Sequence, residues 1–298
     1  MESNSVLKGL SYGGFASCVA EVVTAPIDVV KTRMQFSGGT SGTQYRGAFH
    51  AAGQVVRNEG ARALFKGIQP ALLRQSTYGA MRYGLYAPIR NAIGVDPNLP
   101  KSEIPIMPKI AAGAGAGAIG SFLCNPTDLI KIRMQVDGMG AGQAGKTRYR
   151  GLGHAFSTII KEEGFLGLWK GVSPTCARAT VLAAAELASY DEIKEQFLAR
   201  GILEEGIGLH FATSLAAGFI ATVAASPFDV VKSRVMGQPV GADGEGTLYR
   251  GVVDCFRKTA QHEGVGTFWK GFWPNFGRIG PHVVINFLVM EQLKIRFG

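Results

Sequence analysis

Cysteine is scarce in this sequence and scattered where it occurs. Cys18, Cys124, Cys176 and Cys255 form no CxxC pair, and no histidine lies at a matching metal-ligand spacing. A zinc site or a disulfide framework is therefore excluded, and a reducing surround is acceptable. His50, His154, His210, His262 and His282 supply no HExxH and no Ser-His-Asp set, so enzyme chemistry has no candidate residues. No metal and no cofactor is expected, and the chain reads as a non-enzyme. The opening stretch MESNSVLKGL holds one lysine and no arginine, which fits neither a secretory signal nor an Arg-rich transit peptide. Any address is expected inside the mature chain. Charged residues make up only 18% of the 298, against 46% hydrophobic, which excludes disorder.

What is abundant is glycine and a repeated motif. The 41 glycines are about twice the ordinary usage of ~7%, and part of the excess lies in apolar stretches, as in helices that pack closely in membranes. Pro26-Ile27-Asp28-Val29-Val30-Lys31-Thr32-Arg33 recurs as Pro126-Thr127-Asp128-Leu129-Ile130-Lys131-Ile132-Arg133. It recurs again as Pro227-Phe228-Asp229-Val230-Val231-Lys232-Ser233-Arg234. Downstream of each copy come Tyr-Arg-Gly, Glu-Gly and an aromatic-Lys-Gly, in one order and at one spacing, with a short insertion before Tyr149. Self-similarity at a fixed period defines a tandem array. The repeats are placed at 1–100, 101–203 and 204–298.

Each repeat reads as an apolar segment leading into the proline, a polar loop, a short amphipathic helix and a second apolar segment. A membrane-spanning helix needs ~20 largely apolar residues. The expectation is an all-α membrane protein with six transmembrane helices, two per repeat, and a short amphipathic helix in each repeat. Small residues four apart (Gly13 and Ser17, Gly113 and Gly117, Ser214 and Gly218) are expected to let backbones approach. The rival reading is a soluble helical solenoid, suggested by charges inside the spans. Charge placement favours the membrane: the long intra-repeat loops hold 19 Lys/Arg against 8 acids, the termini and inter-repeat connections 8 against 9.

Three chemical sets follow from the triplication. Asp28, Asp128 and Asp229 each stand two residues after a proline and three before Lys31, Lys131 and Lys232. If the three helices meet, each carboxylate can pair with a neighbour's lysine and close one end of a pore. The rival is a local Asp-Lys pair worth ~0.2–0.5 kcal/mol. At the other end, Asp191 with Lys194 and Glu291 with Lys294 form acid-x-x-base sets, whereas the first repeat offers Arg90 but alanine at position 87. Between them, Arg74, Arg178 and Arg278 recur at one depth, where an arginine is costly unless it lines an aqueous functional site. Guanidinium groups grip carboxylate, sulfate or phosphate in bidentate fashion. Tyr78 and Arg82 share a face with Arg74, so these five are the candidate substrate site. Glu21 and Glu186, carboxylates within spans, are candidates for proton coupling.

The whole arrangement resembles the mitochondrial carrier family, and the resemblance covers essentially the entire chain. It implies a pseudo-threefold barrel of six tilted transmembrane helices with three short matrix helices, alternating access through a central site, basic loops in the matrix, and both termini in the intermembrane space. The proline-end network becomes a matrix gate braced by Gln35 and Gln135, with Met236 unable to brace the third position. The far-end set becomes an intermembrane-side gate. The aromatic-Lys-Gly and Tyr-x-Gly marks match the family's cardiolipin sites, where helix N-termini receive phosphate. The arginine triplet resembles the branch of oxoglutarate/malate carriers, dicarboxylate carriers and uncoupling proteins. The implied function is exchange of small dianions by a protein working as a monomer in the inner membrane. Its partners are small anionic solutes and membrane lipid, with no nucleic acid. The alternative is an uncoupling-protein-like carrier of protons or inorganic anions, and a non-transporting scaffold is the rival class. Residues 140–147 (Gly-Ala-Gly-Gln-Ala-Gly-Lys-Thr) satisfy GxxxxGK[ST] and Gly115–Gly120 satisfy GxGxxG. Neither follows a buried strand, so a P-loop NTPase is a remote alternative.

Overall fold

Each repeat opens with a long helix that carries its motif proline inside: α1 Glu2–Phe36, α4 Ile106–Val136 and α7 Ile207–Gly237. A short helix follows, α2 Ala48–Glu59, α5 Leu152–Glu163 or α8 Val252–Glu263, and buries residues one turn apart, such as Ala155 and Ile159. The Glu-Gly marks are the ends of these short helices. A 3₁₀ turn then leads to the second long helix: α3 Ile68–Ala92, α6 Val172–Ala199 and α9 Phe272–Phe297. The computed structural model describes residues 2–38, 45–95, 106–139, 148–201, 205–241 and 246–297, with the side chains of 2–12, 79–80, 82–83, 106, 207, 294 and 297 left out. The GxxxxGK[ST] stretch at 140–147 lies outside these residues.

The glycine of each aromatic-Lys-Gly mark has a structural reason. Gly67, Gly171 and Gly271 hold φ between 76° and 80° at the start of the second long helix. A side chain on them would run into Gln135 and the Lys131 carbonyl, into Met236, or into Gln35 and the Lys31 carbonyl, respectively. Only glycine accepts both the left-handed conformation and the close approach. Each repeat thereby seats its second helix on the motif helix of the next repeat. The long helices pack in the order α1, α3, α4, α6, α7, with α9 against α1. One apolar core joins Leu129, Ile130 and Ile132 to Ala155, Ile159, Leu168 and Met236, and a second gathers Val230, Val231 and Val235 with Tyr249, Cys255 and Phe268.

The structure corrects the expected six-span barrel. Among the described residues only two helices, Gly13–Phe36 and Gly208–Gly237, are long and apolar enough to cross a membrane. The fold is all-α, with an isolated bridge between Val240 and Gly246, and neither a sheet nor a barrel is present among the described residues. The reason lies in composition. α3 carries Arg74 and Arg82, α6 carries Arg178 and Glu186, α9 carries Arg278 and His282, and α4 is diluted by glycine and Asn125. The small-residue pairs also differ from expectation. A Cβ on Gly117 would touch Ala179 and Tyr78, but one on Gly13 or Gly218 would meet nothing within 4 Å.

Candidate functional site

Two residues after each proline the helix turns an aspartate inward, and one turn later a lysine. Their pairing is cyclic. Lys31 Nζ lies 3.0 Å from Asp229, Lys131 2.7 Å from Asp28, and Lys232 2.7 Å from Asp128. Every lysine takes the aspartate of the preceding repeat, and five of the six side chains are buried, with Lys131 half-buried. The pairs therefore tie repeat to repeat rather than stabilising single helices. Removing one partner of such a buried pair costs about 3–5 kcal/mol, because the other is left charged and dry.

The arginine triplet joins the same cluster. Arg74 pairs with Asp128 and Arg178 with Asp229. Arg278 reaches Glu21 at 3.4 Å and stands 3.7 Å from Asp28. Glu21 is buried and also holds Lys131 at 2.8 Å. The arginines thus lean onto the proline-end carboxylates instead of occupying a tier of their own. Tyr78 stacks against Arg74, whose guanidinium carbon is 4.7 Å from the ring centre. The side chain of Arg82 lies outside the described residues, and Glu186 is exposed on α6.

The three Asp-Lys pairs and the three arginines line a polar cavity of about 100 Å³, and Glu21 pairs with two of the lining cations, Lys131 and Arg278. Six cations (Lys31, Lys131, Lys232, Arg74, Arg178, Arg278) face four carboxylates (Glu21, Asp28, Asp128, Asp229), a surplus of two positive charges. In a site screened from water such a surplus attracts anions strongly. Gln135 Oε1 accepts from Thr32 at 2.8 Å while its amide donates to Asp28 at 3.1 Å, and Gln35 accepts from Ser233 at 2.8 Å. Met236 at the third position is buried in the apolar core beside Ile132.

The far end differs. Lys194 pairs with Glu205 at 3.0 Å, and Arg90 hydrogen-bonds Asn91. Asp191 and Glu291 are exposed and make no ion pair with another helix among the described residues. The side chain of Lys294 lies outside them.

One further triplicate set is formed by residues that no motif spacing pairs. The last arginine of each motif is bidentate to the glutamate of the Glu-Gly mark: Arg33 to Glu59, Arg133 to Glu163, Arg234 to Glu263. Each glutamate also takes the lysine of the aromatic-Lys-Gly mark, Lys66, Lys170 or Lys270, at 2.7–3.0 Å. Each arginine Nε donates to the neighbouring repeat, at Gln135, Met236 and Gln35 carbonyls. Burial pushes these carboxyls up, but the hydrogen bonds and charges of the two bases outweigh it and hold all three below the usual glutamate value. The signal was present as a triplicate Arg and a triplicate Glu, but their separation of 26 to 30 residues crosses a loop whose path the sequence does not define.

A sequence profile of mitochondrial carrier proteins matches residues 2–96, 102–201 and 204–298. The chain belongs to the mitochondrial carrier family. This carrier is 41% identical, over 95% of its own length and 93% of the relative's, to the mitochondrial substrate carrier family protein ucpB of Dictyostelium discoideum. It is 42% identical to mitochondrial uncoupling protein 1 of Arabidopsis thaliana, covering 97% and 93% of the two chains. A probable mitochondrial 2-oxoglutarate/malate carrier protein of Dictyostelium discoideum is 39% identical, covering 98% and 90%. Among the described residues no group of three or more His, Cys, Asp or Glu is placed to hold a metal ion. The carrier family is one of transport proteins, and the chain is a carrier rather than an enzyme.

Proposed function

We propose that this carrier is uncoupling-protein-like and moves small anions across the mitochondrial inner membrane by alternating access. The observation that carries the reading is the charge surplus of two in the buried cluster, which a bound dianion balances. Relatives named as uncoupling proteins recur at 38–42% identity and support the same branch. A second reading, exchange of dicarboxylates or 2-oxoglutarate for malate, is favoured by the forked arginines, whose geometry matches paired carboxylates. Protons are a further solute of the first reading, with Glu21, which pairs with Lys131 and Arg278, as the candidate that couples their movement.

The mechanism follows from shared partners. An anion drawn to Arg74, Arg178 or Arg278 competes with Asp128, Asp229 or Asp28 for the same guanidinium. Binding therefore loosens carboxylates that also hold the three lysines, and solute binding offsets the cost of parting the repeats. In this reading the proline end is the matrix gate and the far end faces the intermembrane space, as do both termini. The carrier works as a monomer. Cardiolipin phosphates are received near α2, α5 and α8, whose N-cap residues Gly47, Gly151 and Gly251 offer no side chain of their own.

The test is uptake into liposomes by purified carrier, comparing sulfate, phosphate, malate, 2-oxoglutarate and proton flux. Uptake of inorganic anions or protons supports the first reading, and strict malate/2-oxoglutarate exchange supports the second. Uptake of none would overturn both.

A further inference from the structure

The cyclic rule at the proline end exposes an orphan at the other. There, each lysine takes the acid of the preceding repeat. By the same order Lys194, in the second repeat, would take an acid from position 87 of the first, which is alanine. Lys194 instead pairs with Glu205 at 3.0 Å, a residue outside every repeated motif, just before α7. The segment bearing Glu205 is fixed against α6 by a second clasp: Tyr190 Oη and His210 Nδ1 are 2.6 Å apart, with their rings nearly parallel.

We propose that Glu205 is the surrogate for the carboxylate that the first repeat lacks. It neutralises Lys194 from within the α6–α7 connection, so the seam between the first and second repeats at the far mouth carries no interhelical ion pair. His210 is the positioning residue that keeps the surrogate in reach by seating the start of α7 on Tyr190. The far gate then closes on two interhelical pairs, Asp191 with Lys294 and Glu291 with Arg90, and Lys194 stays neutralised whether that gate is open or shut. The consequence for exchange rests on the carrier reading; the pairing itself does not.

Lys194 reactivity reads the pairing without any solute. Carrier in liposomes is pulsed with a small N-hydroxysuccinimide acetate, and acylation of Lys194 is quantified by mass spectrometry. Glu205 is 72% exposed, so its replacement is compatible with folding. Glu205→Gln raises the Lys194 rate by about 1.5- to 5-fold, the range of an exposed ion pair, and Glu205→Asp restores it. In Ala87→Asp/Glu205→Gln the rate returns toward wild type, because the new acid captures the lysine across the seam. That double variant also exchanges solute more slowly than the two single changes predict together. An unchanged Lys194 rate in Glu205→Gln, or an Ala87→Asp effect on exchange equal in both backgrounds, overturns the proposal. Absence of transport in wild type as well would count against the carrier reading, while the acylation rates still decide the pair.

Discussion

Arg178 binds the same carboxylate, Asp229, that holds Lys31 at 3.0 Å. One aspartate thus serves an arginine of the second repeat and a lysine of the first, with the amide of Asn275 3.4 Å away. The arginine triplet and the Asp-Lys pairs are one electrostatic unit, and anything that takes Arg178 away changes what holds Asp229.

The arginines should therefore be separable from folding but not from transport. Arg74→Ala, Arg178→Ala and Arg278→Ala each leave the aspartate with its lysine, so the proteins fold and are recovered from membranes. Each should lose at least 90% of anion uptake, an effect of about 1.4 kcal/mol or more on the transport barrier. Retained uptake in any one variant would remove that arginine from the mechanism.

The Arg-Glu-Lys sets predict the opposite pattern, a stability effect. Arg133→Ala leaves Glu163, 1% exposed at its side chain, with Lys170 as its remaining base. Loss of about 1.5–3 kcal/mol, the range for a hydrogen bond to a charged group, is expected, read as a lower midpoint in thermal unfolding of the purified carrier. An unshifted midpoint would show that the buried pair contributes nothing.

Acid should find the same sets. Glu59, Glu163 and Glu263 are held below the ordinary carboxyl value by their bases. A carboxyl lowered on folding adds stability above its unfolded value of about 4.3 and loses it as pH falls through the folded value. Unfolding midpoints should be flat from pH 7 to 5 and drop below about pH 4. Glu163→Gln should be less stable at pH 7 and lose less of its stability on acidification. An equal acid loss in wild type and variant contradicts the assignment.

Glu21 tests the charge balance. Glu21→Gln raises the surplus of the cluster from two to three, because Lys131 and Arg278 lose a shared carboxylate. The KM for a dianion should fall at least twofold at low salt, with the difference shrinking as ionic strength rises. A KM that rises, or a shift insensitive to salt, would contradict it.

The triplicate motif made the Asp-Lys pairs legible, because helical spacing fixes which residues share a face and three copies imply three helices meeting. It did not reveal that Arg74, Arg178 and Arg278 fold down onto those aspartates. Spacing along one helix gives the depth of a Cα, not the reach of an arginine toward another repeat. The six spans were overread for a related reason. Counting apolar length ignores that α3, α6 and α9 keep arginines in the middle, facing the cavity. Glu205 lies in no motif at all, and only the packing of α7 against α6 brings it to Lys194.

The buried surplus of positive charge should be what binds the transported anion. This is tested most directly by radiolabelled sulfate and malate uptake into liposomes, comparing wild type, Arg178→Ala and Arg178→Lys side by side. The expected result is saturable uptake by wild type, none by the alanine variant, and weak uptake with a raised KM by lysine, which keeps the charge but loses the fork. Equal uptake by wild type and Arg178→Ala would show that the surplus does not bind the anion.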